Sequence, residues 1–105
     1  MKRAHYSLEE IQSLLQNKST RIITRLTKKM AFNLGYKDED AIVKRVCELK
    51  RNEIFKTMTS DYDHTIWQDV YNTIDTTEDG QTVILYIKIQ KSKDGLGVVI
   101  DFKEK

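Results

Sequence analysis

The segment from Thr82 to Lys103 constrains this chain more than any other. Val83, Leu85, Ile87 and Ile89 alternate with Ile84, Tyr86, Lys88 and Gln90, the period-two pattern of a strand with two different faces. Further on, Val98, Ile100 and Phe102 alternate with Val99, Asp101 and Lys103. Between them lies Lys93-Asp94-Gly95-Leu96, and Asp-Gly tolerates the positive φ of a type I′ turn. Strands Thr82–Lys91 and Gly97–Lys103 are therefore expected to form an antiparallel hairpin. With Asp94-Gly95 as a two-residue turn, Ile87 faces Phe102, Ile89 faces Ile100, Lys88 faces Asp101 and Tyr86 faces Lys103. A phenol and an ammonium then sit side by side on the more polar face. A three-residue loop would slip this register by one. A lone hairpin is marginal in water, so the rest of the chain has to cover one of its faces.

Upstream, the periodicity is helical. Ser7-Leu8-Glu9-Glu10 has the form of a capping box, and Leu8, Ile11, Leu14 and Leu15 follow at helical spacing, predicting a helix over 8–17. Thr24 caps a second helix with the stripe Leu26, Met30 and Leu34, closed by Gly35 in the left-handed conformation. Asp38 opens a third, with the stripe Ile42, Val43, Val46 and Leu49. Ile54, Phe55 and Met58 suggest a short fourth helical piece around Asn52–Met58. After Asp61, Thr65–Ile74 is rich in β-branched and aromatic residues and reads as a strand, with Asn72–Gln81 as a polar loop. The expected fold class is α+β, with N-terminal helices packed on one face of a small antiparallel twisted sheet. The expected organisation is a single domain over 1–105, mainly helical over 1–60 and a β meander over 61–105.

Composition narrows the function classes. No apolar run is long enough to span a membrane, and no apolar stretch follows the opening Met-Lys-Arg as a secretory signal requires. The single cysteine, Cys47, excludes an internal disulfide and suits a reducing, cytoplasmic compartment. Residues 1–36 hold seven Lys/Arg, Lys2 among them, against two Glu, a charge balance that suits a polyanion such as RNA. The four glycines form no phosphate loop, and His5 and His64 are too far apart in sequence for a recognisable metal motif. What remains is a site of Lys, Tyr and Gln with no cofactor. Such a set suits RNA cleavage, because RNA carries its own nucleophile, the 2′-OH. The protein has only to orient it, move protons and offset charge on the phosphorane.

Two blocks are more specific. Glu53-Ile54-Phe55-Lys56-Thr57-Met58-Thr59-Ser60 and Asp63-His64-Thr65-Ile66-Trp67-Gln68-Asp69-Val70-Tyr71 strongly resemble the MqsR family of bacterial toxins (motility quorum-sensing regulator). Leu85-Tyr86-Ile87-Lys88-Ile89 and Phe102-Lys103-Glu104-Lys105 add to the resemblance, in the family's order and with similar spacing. It implies a RelE-like fold and an mRNA interferase of a type II toxin–antitoxin system. It also implies neutralisation by a cognate antitoxin that itself binds zinc and DNA, and it leaves a role for the ribosome open. The family's functional positions carry over to Lys56, Gln68, Tyr86 and Lys103. In this reading Lys103 or Lys56 stabilises the phosphorane and the other moves a proton. Tyr86 donates a proton or holds a base, Gln68 positions the scissile group, and Lys56 closes the site from the end of the short helix. Trp67 and Phe55 are expected in the core, Asp69 beside a lysine, and His64 in a loop hydrogen bond. The alternatives are a non-catalytic RNA- or ribosome-binding module and a regulator acting only through a protein partner.

Overall fold

A computed structural model describes residues 3–77 and 79–105; Lys2 of the basic first third lies outside them. The elements in chain order are α1 (Leu8–Leu15), β1 (Arg21–Ile23), α2 (Arg25–Asn33), α3 (Glu39–Cys47), β2 (Ile54–Thr59), β3 (Trp67–Thr76), β4 (Thr82–Lys91) and β5 (Gly97–Glu104). Single 3-10 turns precede β1 and β2, at Lys18–Thr20 and Arg51–Glu53. The α+β class is as expected. The sheet, however, is mixed: its strand order is β1-β5-β4-β3-β2, and β1 runs parallel to β5 while the other pairs are antiparallel.

Each helix starts on the side chain the sequence offers. Ser7 accepts from the Glu10 amide at 3.2 Å, Thr24 from the Thr27 amide and Asp38 from the Ala41 amide. At α1 the Glu10 carboxylate does not complete a capping box but holds Lys91 of β4 at 2.7 Å. Leu8, Ile11 and Leu15 of α1, Ala31 of α2, and Ile42, Val43 and Val46 of α3 with Leu49 beyond it close over one sheet face. That face supplies Tyr71, Leu85, Ile87, Ile89, Val99 and Phe102. Gly97 lets α1 approach β5, because a Cβ there would meet the Leu14 Cβ at 3.0 Å.

Several expectations are corrected. The piece around Asn52–Met58 is not helical: pairing with β3 overrides its local pattern and makes it strand β2. The Asn72–Gln81 loop is shorter, because β3 continues to Thr76 against β4. In α2 the inward residues are Thr27 and Ala31, whereas Leu26 is 62% exposed. Thr27 turns inward because its hydroxyl donates to the Ile100 carbonyl of β5 at 2.6 Å. The final hairpin turn has three residues, Lys93, Asp94 and Gly95, closed by the Ser92 amide on the Leu96 carbonyl, with Gly95 at φ 85°. A bulge then follows. Ile89 pairs with Val99, not Ile100; Lys88 pairs with Asp101 and Ile100 is the extra residue. The Thr27 hydroxyl takes the carbonyl of that extra residue.

The Asp63–Tyr71 block fastens the fold. Asp69, fully buried, accepts from the His5 and Tyr6 amides, each at 2.9 Å, and pairs with no lysine among the described residues. The Tyr6 hydroxyl donates to the Trp67 carbonyl, and the His5 ring stacks on Trp67 with centroids 4.9 Å apart. Trp67 is thus a partly exposed lid for the N-terminal segment, not core. Burial, with help from the Asp69 charge, pushes the Tyr71 phenol up to about 12.

Candidate functional site

The face of the sheet opposite the core carries no helix among the described residues. Alternation and register arrange its side chains in rows that cross the strands. One row is Asn72, Tyr86 and Lys103; the next is Lys56, Val70, Lys88 and Asp101; the third includes Met58, Gln68 and Gln90. At about 3.4 Å per residue, successive rows lie about 7 Å apart.

All four sequence-derived candidates share this face, but they are not equally close. Tyr86 and Lys103 are cross-strand partners, with the Lys103 Nζ 5.1 Å from the Tyr86 ring centroid. This pairing is the expected one, although the turn is a residue longer, because the bulge at Ile100 absorbs the difference. Gln68 lies two rows away and is held by its amide nitrogen, which donates to the Gln90 side-chain oxygen at 2.8 Å. Lys56 is not on a helix end. It points from the middle of β2, opposite Val70, with its Nζ 5.8 Å from the Phe55 ring.

The electrostatics of the face are cationic. Lys56, Lys88 and Lys103 project from it and Lys105 borders it; among the described residues Asp101 is the carboxylate in these rows, and Glu53 lines the cleft beside Lys105. Asp101 holds Lys88 at 3.3 Å, with both side chains largely covered. Lys88 Nζ also lies 5.8 Å from the Tyr86 ring, so two ammonium groups flank the phenol. Among the described residues, Lys56, Lys103 and Lys105 form no ion pair. The basic first third contributes differently from the sequence expectation. Arg21 is buried against Glu39 and Asp40, and Lys28 pairs with Glu39, so part of that charge is spent inside the helical layer.

Two other candidates move. Phe55 is half-buried at the rim of the face, under the Lys105 ammonium, whose nitrogen is 4.3 Å from the ring centroid. His64 is exposed; its loop is organised instead by Asp63, which accepts from Thr65 and pairs with Lys93 at 2.9 Å. These contacts hold the Asp63 carboxyl well below the usual carboxylate range, the Thr65 hydrogen bond being the largest cause. Sequence reasoning gave Asn72 both to the strand Thr65–Ile74 and to the loop Asn72–Gln81; it lies within β3, which runs on to Thr76.

The fold and this face define a small α+β protein whose helix-backed sheet sets a phenol between lysines on its bare side. Comparison shows its family. The family model described as "Motility quorum-sensing regulator, toxin of MqsA" matches residues 3–104, and the chain belongs to this family. It is 36% identical over 101 residues to the mRNA interferase toxin MqsR of Escherichia coli (strain K12), covering 96% of this chain and 94% of that protein.

Proposed function

We propose that the protein is an endoribonuclease toxin that cleaves mRNA on its open sheet face, and that a cognate antitoxin neutralises it. The observation that carries this reading is the Tyr86–Lys103 pair on a lysine-rich face, in a chain aligned nearly end to end with an mRNA interferase toxin. The chemistry is metal-independent: the 2′-OH attacks the adjacent phosphate, its proton passes to a phosphate oxygen or to water, the P–O5′ bond breaks and a 2′,3′-cyclic phosphate forms. Lys103 offsets the charge that builds on the phosphorane, where a fixed cation is most effective. Tyr86, beside it, donates a proton to the departing 5′-oxygen or holds a flanking base. Gln68, oriented by Gln90, hydrogen-bonds the RNA two rows along, and Lys56 binds a further phosphate from β2. The three rows together suit an extended single strand better than a compact ligand. The antitoxin is of the zinc- and DNA-binding kind that the family implies, and the site of action is the cytoplasm, with or without the ribosome.

The test is incubation of the purified protein with a defined mRNA in EDTA, with the ends mapped by primer extension. Lys56→Ala, Gln68→Ala, Tyr86→Ala and Lys103→Ala run beside wild type. Site-specific cuts that survive EDTA and disappear in the variants are expected. Folded wild type that makes no cuts, even with ribosomes added, would overturn the proposal in favour of an RNA-binding module.

A further inference from the structure

The row that carries Tyr86 and Lys103 ends on β3 at Asn72. Asn72 is the cross-strand partner of Tyr86. Its side chain makes no hydrogen bond to any described residue, and its Oδ1 is buried without a partner, the one such atom among the described residues. Buried polar atoms are nearly always paired, so an idle amide at this position needs a reason. Half a turn about its terminal torsion exchanges oxygen and nitrogen, which lets the amide offer either atom outward.

Beside Asn72 the face dips into a cleft of about 610 Å³, where β2 begins and β3 runs on past it. Its walls include Ile74 and Ile84, cross-strand partners that are 69% and 47% exposed, and Phe55. Lys105 stands at its rim, fixed there by its amide on the Ile84 carbonyl. Apolar walls, an aromatic ring, one unengaged amide and a nearby ammonium form the recognition set for an unstacked nucleobase. The flat base stacks or packs on the walls, its polar edge meets the amide, and its phosphate meets the lysine. Asparagine suits such an edge, because it presents a donor and an acceptor side by side.

Resting on the cleavage reading above, we propose that this cleft is a base-reading subsite in which Asn72 selects the nucleotide next to the phosphate held at Tyr86 and Lys103. Asn72 is then a specificity residue: it chooses where the RNA is cut and takes no part in proton transfer. Lys105 and Phe55 hold the base without reading it.

The experiment measures binding separately from cleavage. Each of the four 3′-nucleoside monophosphates is titrated into the full chain, following the Asn72 side-chain amide and the Phe55 and Lys105 backbone amides by NMR. Wild type is expected to shift these signals, with the best and worst nucleotides at least tenfold apart in Kd. Asn72→Leu brings the four within threefold of one another. Asn72→Asp, nearly the same shape but acceptor-only, reorders them towards bases that present an amino group. Lys103→Ala weakens all four by a similar factor, because it removes a phosphate contact. A wild type that leaves the Asn72 amide unmoved, or an Asn72→Asp protein of unchanged thermal midpoint that keeps the wild-type order, overturns the proposal. Wild type that binds with the expected preference yet cuts no RNA overturns the interferase reading and supports the subsite.

Discussion

The two faces of this sheet are made by alternate residues of the same strands, yet they are held to different rules. On β4, Leu85, Ile87 and Ile89 are essentially inaccessible, while Ile84 on the bare side is 47% exposed. On the helix-covered face the buried polar side chains Asp69, Thr27 and Thr73 have structural work. Asp69 ties down two backbone amides, Thr27 satisfies the bulged carbonyl, and Thr73 bridges Arg45 and Glu53. On the bare face, Lys56 and Lys103 pair with no carboxylate and the Asn72 amide is idle among the described residues. The bare face pairs Lys88 with Asp101 and Gln68 with Gln90 but leaves these other groups unengaged among the described residues. Neighbouring residues in sequence should therefore fail in different ways when changed.

The sharpest way to break this contrast is the adjacent pair Phe102 and Lys103. Phe102→Ala empties a fully buried site under Tyr36 and should cost about 3–5 kcal/mol in chemical unfolding. Lys103→Ala, one residue on, should cut RNA cleavage by about 100-fold or more, as loss of a preorganised charge-stabilising group does. Its unfolding free energy should stay within about 0.5 kcal/mol of wild type. Equal losses of stability at both positions would erase the distinction between the faces.

A polar residue on the covered face extends the comparison. Asp69→Asn keeps the shape but loses the charge that two amides share, and should cost about 1–3 kcal/mol. Hydrogen exchange at His5 and Tyr6 should accelerate selectively if the effect is local. The smallest expected effect lies outside both faces, at the Asp63–Lys93 clip. The Asp63 carboxyl is held low in the folded chain against about 3.9 when unfolded. Its contribution is thus present above about pH 4 and is lost as pH falls through the lower folded value. Asp63→Asn should flatten that acid limb of the thermal midpoint and leave neutral pH nearly unchanged.

What the sequence made legible follows the same division. The third helix was readable whole, because cap, stripe and burial agree from Asp38 to Leu49. The bare face was readable as far as alternation holds, which placed Tyr86 opposite Lys103 and Gln68 on their side. Alternation does not reveal an extra residue, so Ile89 was matched to Ile100 when a longer turn and a bulge give it Val99. Strands β1 and β2 were illegible for a different reason. Three residues carry too little pattern, and Ile54, Phe55 and Met58 fit a helix as well as a strand until β3 supplies the pairing. The inward face of α2 was misjudged because a threonine took the place a leucine was expected to hold, for a hydrogen bond to a distant strand. Asn72 fell outside reach because its significance is an absence of partners, which only packing can show.

The strand order carries a consequence for how such a chain is made. β5, latest in sequence of the five, lies between β1 and β4, and its Val99 and Phe102 complete the core under the helices. During synthesis the helices and β1 emerge long before the surface they close upon, and β1 waits for its neighbour across most of the chain. Non-local pairing of this kind forms slowly and late. Lys103 lies on the same late strand, so the Tyr86–Lys103 pair forms only when β5 docks, whereas Lys88 is beside Tyr86 on β4 from the start.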